Sequence, residues 1–357
     1  MSQKKTIPIA VLGASGYVGG QLLTLLANHP QVRIAAATAN RQAGQRAVDI
    51  FPALGSFGNI PLSTLDPHTV AQEAEIVLSA LPHGESAQVL GDIARAGARV
   101  IDLSADYRFS NPKVYASTYG HAHPCPDLAE SAVYGLVEFE RERIPGAHIV
   151  GVPGCYPTAT LLALLPLLTG GFTKLSAGVI VDAKSGVSGA GRDAKTDNLF
   201  CEVDGGVRAY NVGRHRHQPE MRFHAERIGL AGAGQIDLFF TPQVVPMSRG
   251  ILASVYVRPK DGFVVDLDLV RSHFEKTYAD SPFGTVLPEG SFPNTRQVTG
   301  TNRFQVALAG GEEERRLVAL CAIDNLIKGA AGQGIQCMNL MLGLPEMTAL
   351  PLVGTIA

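Results

Sequence analysis

Through the first 150 residues, short apolar runs of strand length alternate with longer stretches of helical spacing. IPIAVL (7–12) runs into a glycine turn, after which Val18, Leu22, Leu25 and Leu26 recur at helical spacing. The runs at 32–37, 75–79, 99–109 and 148–152 repeat this rhythm, with a helix expected at 85–96. Strands alternating with helices predict a parallel, doubly wound sheet over residues 1 to about 153. Beyond residue 170 the pattern changes. Segments 178–183, 235–245, 250–259, 303–309 and 316–323 read as strands, and RFQVALA alternates as in a sheet covered on one face. No helical segment separates 235–245 from 250–259, so antiparallel pairs are expected, with helices near 160–168 and 266–279 as cover.

Composition narrows this picture. A chain of 357 residues, 46% hydrophobic and without Trp, suits two aliphatic cores. A net charge of −2 and the lack of any basic block argue against a nucleic-acid partner. The basic MSQKK start is followed by a run that Pro8 and Gly13 interrupt, without a cleavage pattern. The apolar run near Leu161 carries Pro166 and Gly170 and is too short to span a bilayer. Five cysteines without framework spacing argue against a disulfide scaffold, so a reducing, cytoplasmic setting is expected. No internal repeat or disordered linker is visible.

Candidate chemistry begins at the glycines. Gly13, Gly16 and Gly19 follow a strand and open a helix, where free amides and the helix dipole favour phosphate. Gly13 would allow the turn, Gly16 the approach of a pyrophosphate, and Gly19 helix–strand packing. Ser15 adds a possible donor, and Tyr17 and Val18 start the helix beside the same site. Glycine turns also end strands for purely structural reasons, but here strand and helix flank the turn as a dinucleotide site requires. After the second strand no acid appears before Asp49; Thr38, Asn40 and Arg41 suit a 2′-phosphate, so NADP(H) is expected over NAD. Arg41 reads equally as a solvated loop residue. Ser79, Leu81, Pro82, His83 and Gly84 would line the cofactor cleft from the third strand's end. Arg108, in SADYRF, would aim a guanidinium at an anion there, or pair with Asp106 at the surface.

PGCYPTA places Cys155 at a turn that opens a helix, where the dipole favours a thiolate and a thiolate attacks acyl carbons. The alternative is a packed thiol. Cys321 and Cys337 lie in strand and helix patterns and read as core; Cys125 and Cys201 lie in loops without activating context. A base is sought in VGRHRHQPEMRFH (212–224). His215 and His217 share a face if the segment is extended, Glu220 would orient an imidazole, and Arg214 and Arg216 add charge for an anionic substrate. H-x-H with Glu220 also fits a metal site, and the segment also fits a solvated basic strand; acid–base chemistry without a metal is the preferred reading. HAHPC (121–125) mimics a metal cluster but lacks a fourth nearby ligand. In KSGVSGAGR (184–192), Ser185, Gly186 and Ser188 suit a nicotinamide or substrate carbonyl, or simply a tight loop.

Taken in order, GASGYVGG, SADYRF, PGCYPTA, SGVSGAGR and HRHQPE resemble the N-acetyl-gamma-glutamyl-phosphate reductase family of arginine biosynthesis, over nearly the whole chain. PGCYPTA and HRHQPE are the specific elements. The family is related in fold to aspartate-semialdehyde dehydrogenase. The resemblance implies a Rossmann-type doubly wound parallel sheet plus an α+β catalytic and dimerisation domain with a mixed sheet. It implies Cys155 as acyl-forming nucleophile, His217 with Glu220 in acid–base work, and Arg108, Arg214, His215 and Ser185 at the substrate. It returns the 325–343 segment to the first domain, where Asn325, Gly329 and Ala330 would approach the nicotinamide or merely pack. The implied domains are 1–153 with about 326–357, and 154–325, in a homodimer or homotetramer. Asn40–Arg41 stands where a Ser-Arg pair is expected. Rival readings are a reductase of aspartyl or acetylaminoadipyl phosphate, a non-catalytic nucleotide-sensing regulator, and a metal-dependent hydrolase.

Overall fold

In the computed structural model, which describes residues 6–229, 235–311 and 315–354, six parallel strands form the first sheet. They are β1 (Ile7–Leu12), β2 (Val32–Thr38), β3 (Ile76–Ser79), β4 (Arg99–Asp102), β5 (Val133–Tyr134) and β6 (Ile149–Gly151). Their order is β2-β1-β3-β4-β6-β5. β1 pairs with β2 on one side and β3 on the other, so the winding reverses between β1 and β3. Ligands of such sheets bind beyond the carboxyl ends at this switch point. Ile9–Leu12 and the whole of β3 are buried, which explains their unbroken apolar runs.

The run 99–109 is strand only as far as Asp102. The Asp102 carboxylate accepts from the Ser104 and Tyr107 amides and folds SADYRF back into a turn. The helix Gly332–Met341 also belongs to this unit. Arg99 donates to the Met341 carbonyl at 2.5 Å, and Asn339 donates to the Glu346 and Thr348 carbonyls.

The second sheet has seven strands in the order β11-β12-β13-β10-β7-β9-β8. They are β7 (Val179–Ser185), β8 (Arg208–Ala209), β9 (Leu238–Val244), β10 (Ile251–Val257), β11 (Gly284–Val286), β12 (Phe304–Gly311) and β13 (Arg316–Ile323). β7/β9 and β11/β12 are parallel and the remaining pairs antiparallel, so the sheet is mixed as expected. The helix Cys155–Thr169 covers one face against β10 and β13, with Leu161, Leu162, Leu164 and Leu165 fully buried. Pro166 cannot donate to the Leu162 carbonyl, and the Tyr278 hydroxyl donates to that carbonyl instead. On the other face, Phe239, Ile180 and Tyr256 are paired in register and all exposed.

By contacts the chain divides into residues 1–154 with 330–350, and 155–329 with 351–357. The return to the first unit therefore ends at Leu350. The Asn302 amide donates to the Pro351 carbonyl at 2.9 Å, which joins the last described residues to the second unit. Among the described residues, no helix is long and apolar enough to cross a membrane.

Candidate active site

In the first unit, the glycine turn is built for close approach. Gly13 has φ +70°, and a Cβ there would lie 2.5 Å from the Ala80 carbonyl oxygen. A Cβ on Gly19 would lie 2.3 Å from the Gly13 oxygen, so the helix Tyr17–Leu26 packs directly on the turn. Around Gly16 a Cβ would meet only the Gly13 oxygen, at 3.6 Å, so space remains at the helix N-cap. The first helical turn carries no acid, and its positive end is not neutralised there. This is a cradle that a dinucleotide pyrophosphate fits. Ser15 and Val18 are half-buried and Tyr17 is exposed at its edge.

Thr38 ends β2 buried, its carbonyl accepting from the Ala14 amide at 2.9 Å. Arg41 is exposed on the short turn Asn40–Gln42, whereas the Asn40 side chain accepts from the Leu65 amide. Asp49, the first acid after β2, is paired with Arg46 at 2.7 Å. Ser79 is buried at the end of β3 with its hydroxyl oxygen facing the Leu81 amide, and Pro82 is exposed in the loop beyond.

Arg108 lies inside the fold rather than at the surface. It is buried, donating from Nε to the Val152 carbonyl at 2.8 Å and from Nη2 to Leu103 at 3.3 Å. It braces the segment leading into Cys155. Nor does it form a surface pair with Asp106, whose carboxylate faces His83, Gly84, Ser86 and Ala87. Burial resists ionisation of Asp106, but hydrogen bonds from His83 and Ser86 prevail and hold it well below the usual carboxylate range. Burial, then the charge of Asp106, pushes Asp102 up to about 6.

In the second unit, Cys155 is the first residue of the helix Cys155–Thr169 and is half-buried. That position places its thiol at the positive end of a 15-residue helix. Gly329 packs on it: a Cβ on Gly329 would lie 2.9 Å from the Cys155 Cβ and 3.2 Å from its Cα. Of the other cysteines, Cys321 and Cys337 are buried in strand and helix as expected. Cys125 is also buried, at the start of the helix Pro126–Ser131, where Arg95 faces its sulfur at 3.4 Å. Cys201 is exposed.

Tyr156, next to Cys155, is the hub of an aromatic group. Its ring lies edge-on to His215 at 5.7 Å and His217 at 6.0 Å, and it donates to the Gln243 carbonyl while the Tyr210 hydroxyl donates to its oxygen. Burial raises both phenols, Tyr210 to about 12, so both stay protonated at neutral pH. The two histidines do not lie on an extended strand. His217 begins the helix His217–His224, and the preceding turn brings His215 back over it, with ring centroids 4.7 Å apart. Glu220, fully buried, follows one turn later on the His217 side. The His215 Nδ1 accepts from the His217 amide at 3.1 Å. Burial, then the Arg216 charge, lowers His215 to about 4, so at neutral pH it is uncharged and carries its proton on Nε2. Arg214 and Arg216 are exposed beside this pair.

Ser185 ends β7 buried, donating to the Gly186 carbonyl at 3.0 Å. A Cβ on Gly186 would lie 2.8 Å from the Arg249 nitrogen, so this loop start packs on the 248–249 backbone. Asn325, expected at the cofactor, holds that arrangement: its Oδ1 accepts from the Gly250 amide at 2.8 Å and its Nδ2 donates to Ser188 at 3.0 Å. Its side chain shapes the serine–glycine loop. Nothing in the sequence signalled this brace, because its two partners come from separate, distant segments. Among the described residues, no group of three His, Cys, Asp or Glu is arranged to hold a metal ion.

Two family models match separate stretches of the chain. Residues 8–147 match the family model of the semialdehyde dehydrogenase NAD binding domain, and 155–325 that of the semialdehyde dehydrogenase dimerisation domain. An N-acetyl-gamma-glutamyl-phosphate reductase of Rhodospirillum rubrum is 46% identical over 349 residues, covering 96% of this chain and 97% of the relative. One from Geobacter metallireducens is 46% identical over 343 residues, with coverage of 96% and 97%. Among solved structures, aspartate semialdehyde dehydrogenase II of Vibrio cholerae complexed with ASA is similar with TM-score 0.70 at 18% identity, covering 95% of this chain and 99% of that one. The Candida albicans aspartate semialdehyde dehydrogenase with NADP gives 0.68 at 16% identity, with coverage of 95% and 99%. At such identities the structures speak for the fold alone, whereas the close relatives carry the family: the chain belongs to the N-acetyl-gamma-glutamyl-phosphate reductases, within the semialdehyde dehydrogenases.

Proposed function

We propose that this chain reduces N-acetyl-L-glutamyl 5-phosphate to N-acetyl-L-glutamate 5-semialdehyde and phosphate, with NADPH, in arginine biosynthesis. The observation that carries the reading is Cys155 at the N-terminus of a buried helix, followed by Tyr156, whose ring lies edge-on to both imidazoles. The Cys155 thiol gives its proton to a base, assigned to His217, and the thiolate attacks the acyl carbon. The carbon–oxygen bond to phosphate breaks, phosphate leaves, and a thioester remains. The reduced nicotinamide nucleotide, when bound, supplies the hydride that turns the thioester into a thiohemiacetal. His217, protonated in the first step, gives that proton to the oxygen that hydride addition leaves negative, takes it back as the carbon–sulfur bond breaks and passes it to the departing thiolate, so the thiol is regenerated with the aldehyde. Glu220 orients His217, neutral His215 offers Nε2–H to the substrate oxygen, and exposed Arg214 and Arg216 favour an anionic substrate. Ser185 and Gly186 position the loop that meets the acyl group.

For the cofactor, exposed Arg41 and the tied-up Asp49 favour a 2′-phosphate, hence NADP(H) over NAD. The test is NADP⁺ reduction by the purified protein with N-acetylglutamate semialdehyde and phosphate. Activity is expected to require phosphate, and Arg41→Ala to narrow the NADP⁺/NAD⁺ preference on the order of tenfold. Turnover of aspartate or acetylaminoadipate semialdehyde alone would reassign the substrate. Nucleotide binding without any turnover would favour a sensor.

A homodimer or homotetramer is supported by the family model's dimerisation domain and by the open face bearing Phe239, Ile180 and Tyr256. Light scattering is expected to give a multiple of the chain mass, and Ile180→Asp to shift it towards monomer; a monomeric wild type would overturn this. Five free thiols and thiolate chemistry suit the cytoplasm.

A further inference from the structure

We propose that Asp106 is a positioning residue for the nucleotide: from the loop after β4 it caps the helix after β3 and so fixes the 80–84 loop against the glycine turn. The proposal rests on reading that turn as the nucleotide site. The Ala80 amide donates to the Leu12 carbonyl at 2.9 Å, but residues 82–84 beyond it have little to hold them by themselves. Pro82 has no amide proton, Gly84 sits at φ +84°, and the helix Ser86–Arg95 that follows has no side-chain cap from Glu85. Yet this loop forms the wall of the turn, since a Cβ on Gly13 would collide with Ala80. A shift of the loop is therefore a shift of the turn's wall.

Asp106 supplies what the loop lacks. Its Oδ2 accepts from the Ser86 hydroxyl at 2.6 Å and from the Gly84 and Ala87 amides, each at 3.1 Å. Its Oδ1 faces the His83 Nδ1 at 2.6 Å and accepts from the Tyr115 hydroxyl at 3.3 Å. The His83 ring in turn lies 4.0 Å from Tyr119. Asp106 is itself held: its amide donates to the Ser104 hydroxyl oxygen at 3.1 Å, and the His123 Nε2 lies 3.0 Å from its carbonyl. The His123 Nδ1 accepts from the Cys125 amide at 3.0 Å, which fixes the tautomer that donates to Asp106. Thus HAHPC, which resembled a metal cluster, is the outer brace of this residue.

The experiment measures NADPH affinity by fluorescence titration, steady-state kinetics and the rate of Cys155 alkylation by iodoacetamide. In Asp106→Asn an amide –NH₂ replaces one acceptor oxygen among at least four donors. The NADPH Kd and KM are expected to rise on the order of tenfold or more, with kcat at saturating NADPH within about threefold and the alkylation rate unchanged. Ser86→Ala removes one donor and leaves the carboxylate, and a smaller rise in Kd is expected. If Asp106→Asn does not fold, Ser86→Ala decides. NADPH affinity unchanged in the variant that folds would overturn the proposal while leaving the nucleotide reading intact. A wild type that binds no NADPH would remove that reading, and the proposal with it.

Discussion

Cys155→Ser is expected to remove phosphate-dependent NADP⁺ reduction, on the order of 10⁴-fold or more, while the NADPH Kd stays within about twofold. The substitution exchanges one atom, so the contact with Gly329 and the start of the Cys155–Thr169 helix are retained. What is lost is acidity. A helix N-terminus can make a thiol substantially ionised near neutral pH, whereas a serine hydroxyl at the same place stays protonated. No thioester can then form, and a quenched reaction with acyl phosphate is expected to yield labelled wild-type protein and unlabelled variant. If a variant with undiminished turnover retained no thiol at 155, the covalent route itself would fall, because the four other cysteines stand elsewhere: Cys125, Cys321 and Cys337 are buried and Cys201 is on the surface.

The alternation of apolar runs and helical spacing made both sheets legible, and β1 and β13 fall where their residues read. β5, β8 and β11 did not show, because two or three residues cannot display a period. The glycine turn was legible because each glycine has a local steric reason that strand and helix on either side reveal. The histidine segment was misread in shape. Pro219 and Glu220 in the first turn were signals of a helix start that the basic residues around them obscured. Arg108, Asn325 and Asp106 were the hardest to read. Several of their partners are backbone amides and carbonyls of other segments, and a backbone group leaves no mark in a sequence. In each case the fold shows bonds that hold loops, which residue type alone does not reveal.

His217→Asn is expected to lower kcat by roughly 10²–10⁴-fold, the usual worth of a general acid–base, with NADPH affinity kept. His215→Asn is expected to cost much less, about tenfold, since it loses a neutral hydrogen bond rather than a proton carrier. The structural reason for the difference is the amide of His217, which donates to the His215 Nδ1. Burial, then the Arg216 charge, keeps His215 from taking a second proton until about pH 4. An asparagine carbonyl oxygen can accept the same bond, so the turn should survive in His215→Asn. The linkage to stability follows with a definite sign. The unfolded imidazole protonates near 6.5 and the folded one near 4, so the unfolded state binds more protons between these values. Stability is thus intact above about pH 6.5 and declines as pH falls towards 4, and His215→Asn should flatten that part of the curve. Thermal unfolding at pH 7 and pH 5, read beside kcat for both variants, separates the two imidazoles. If His215→Asn abolished turnover and His217→Asn did not, the roles would be exchanged, and a group uncharged down to about pH 4 would have to act as the base.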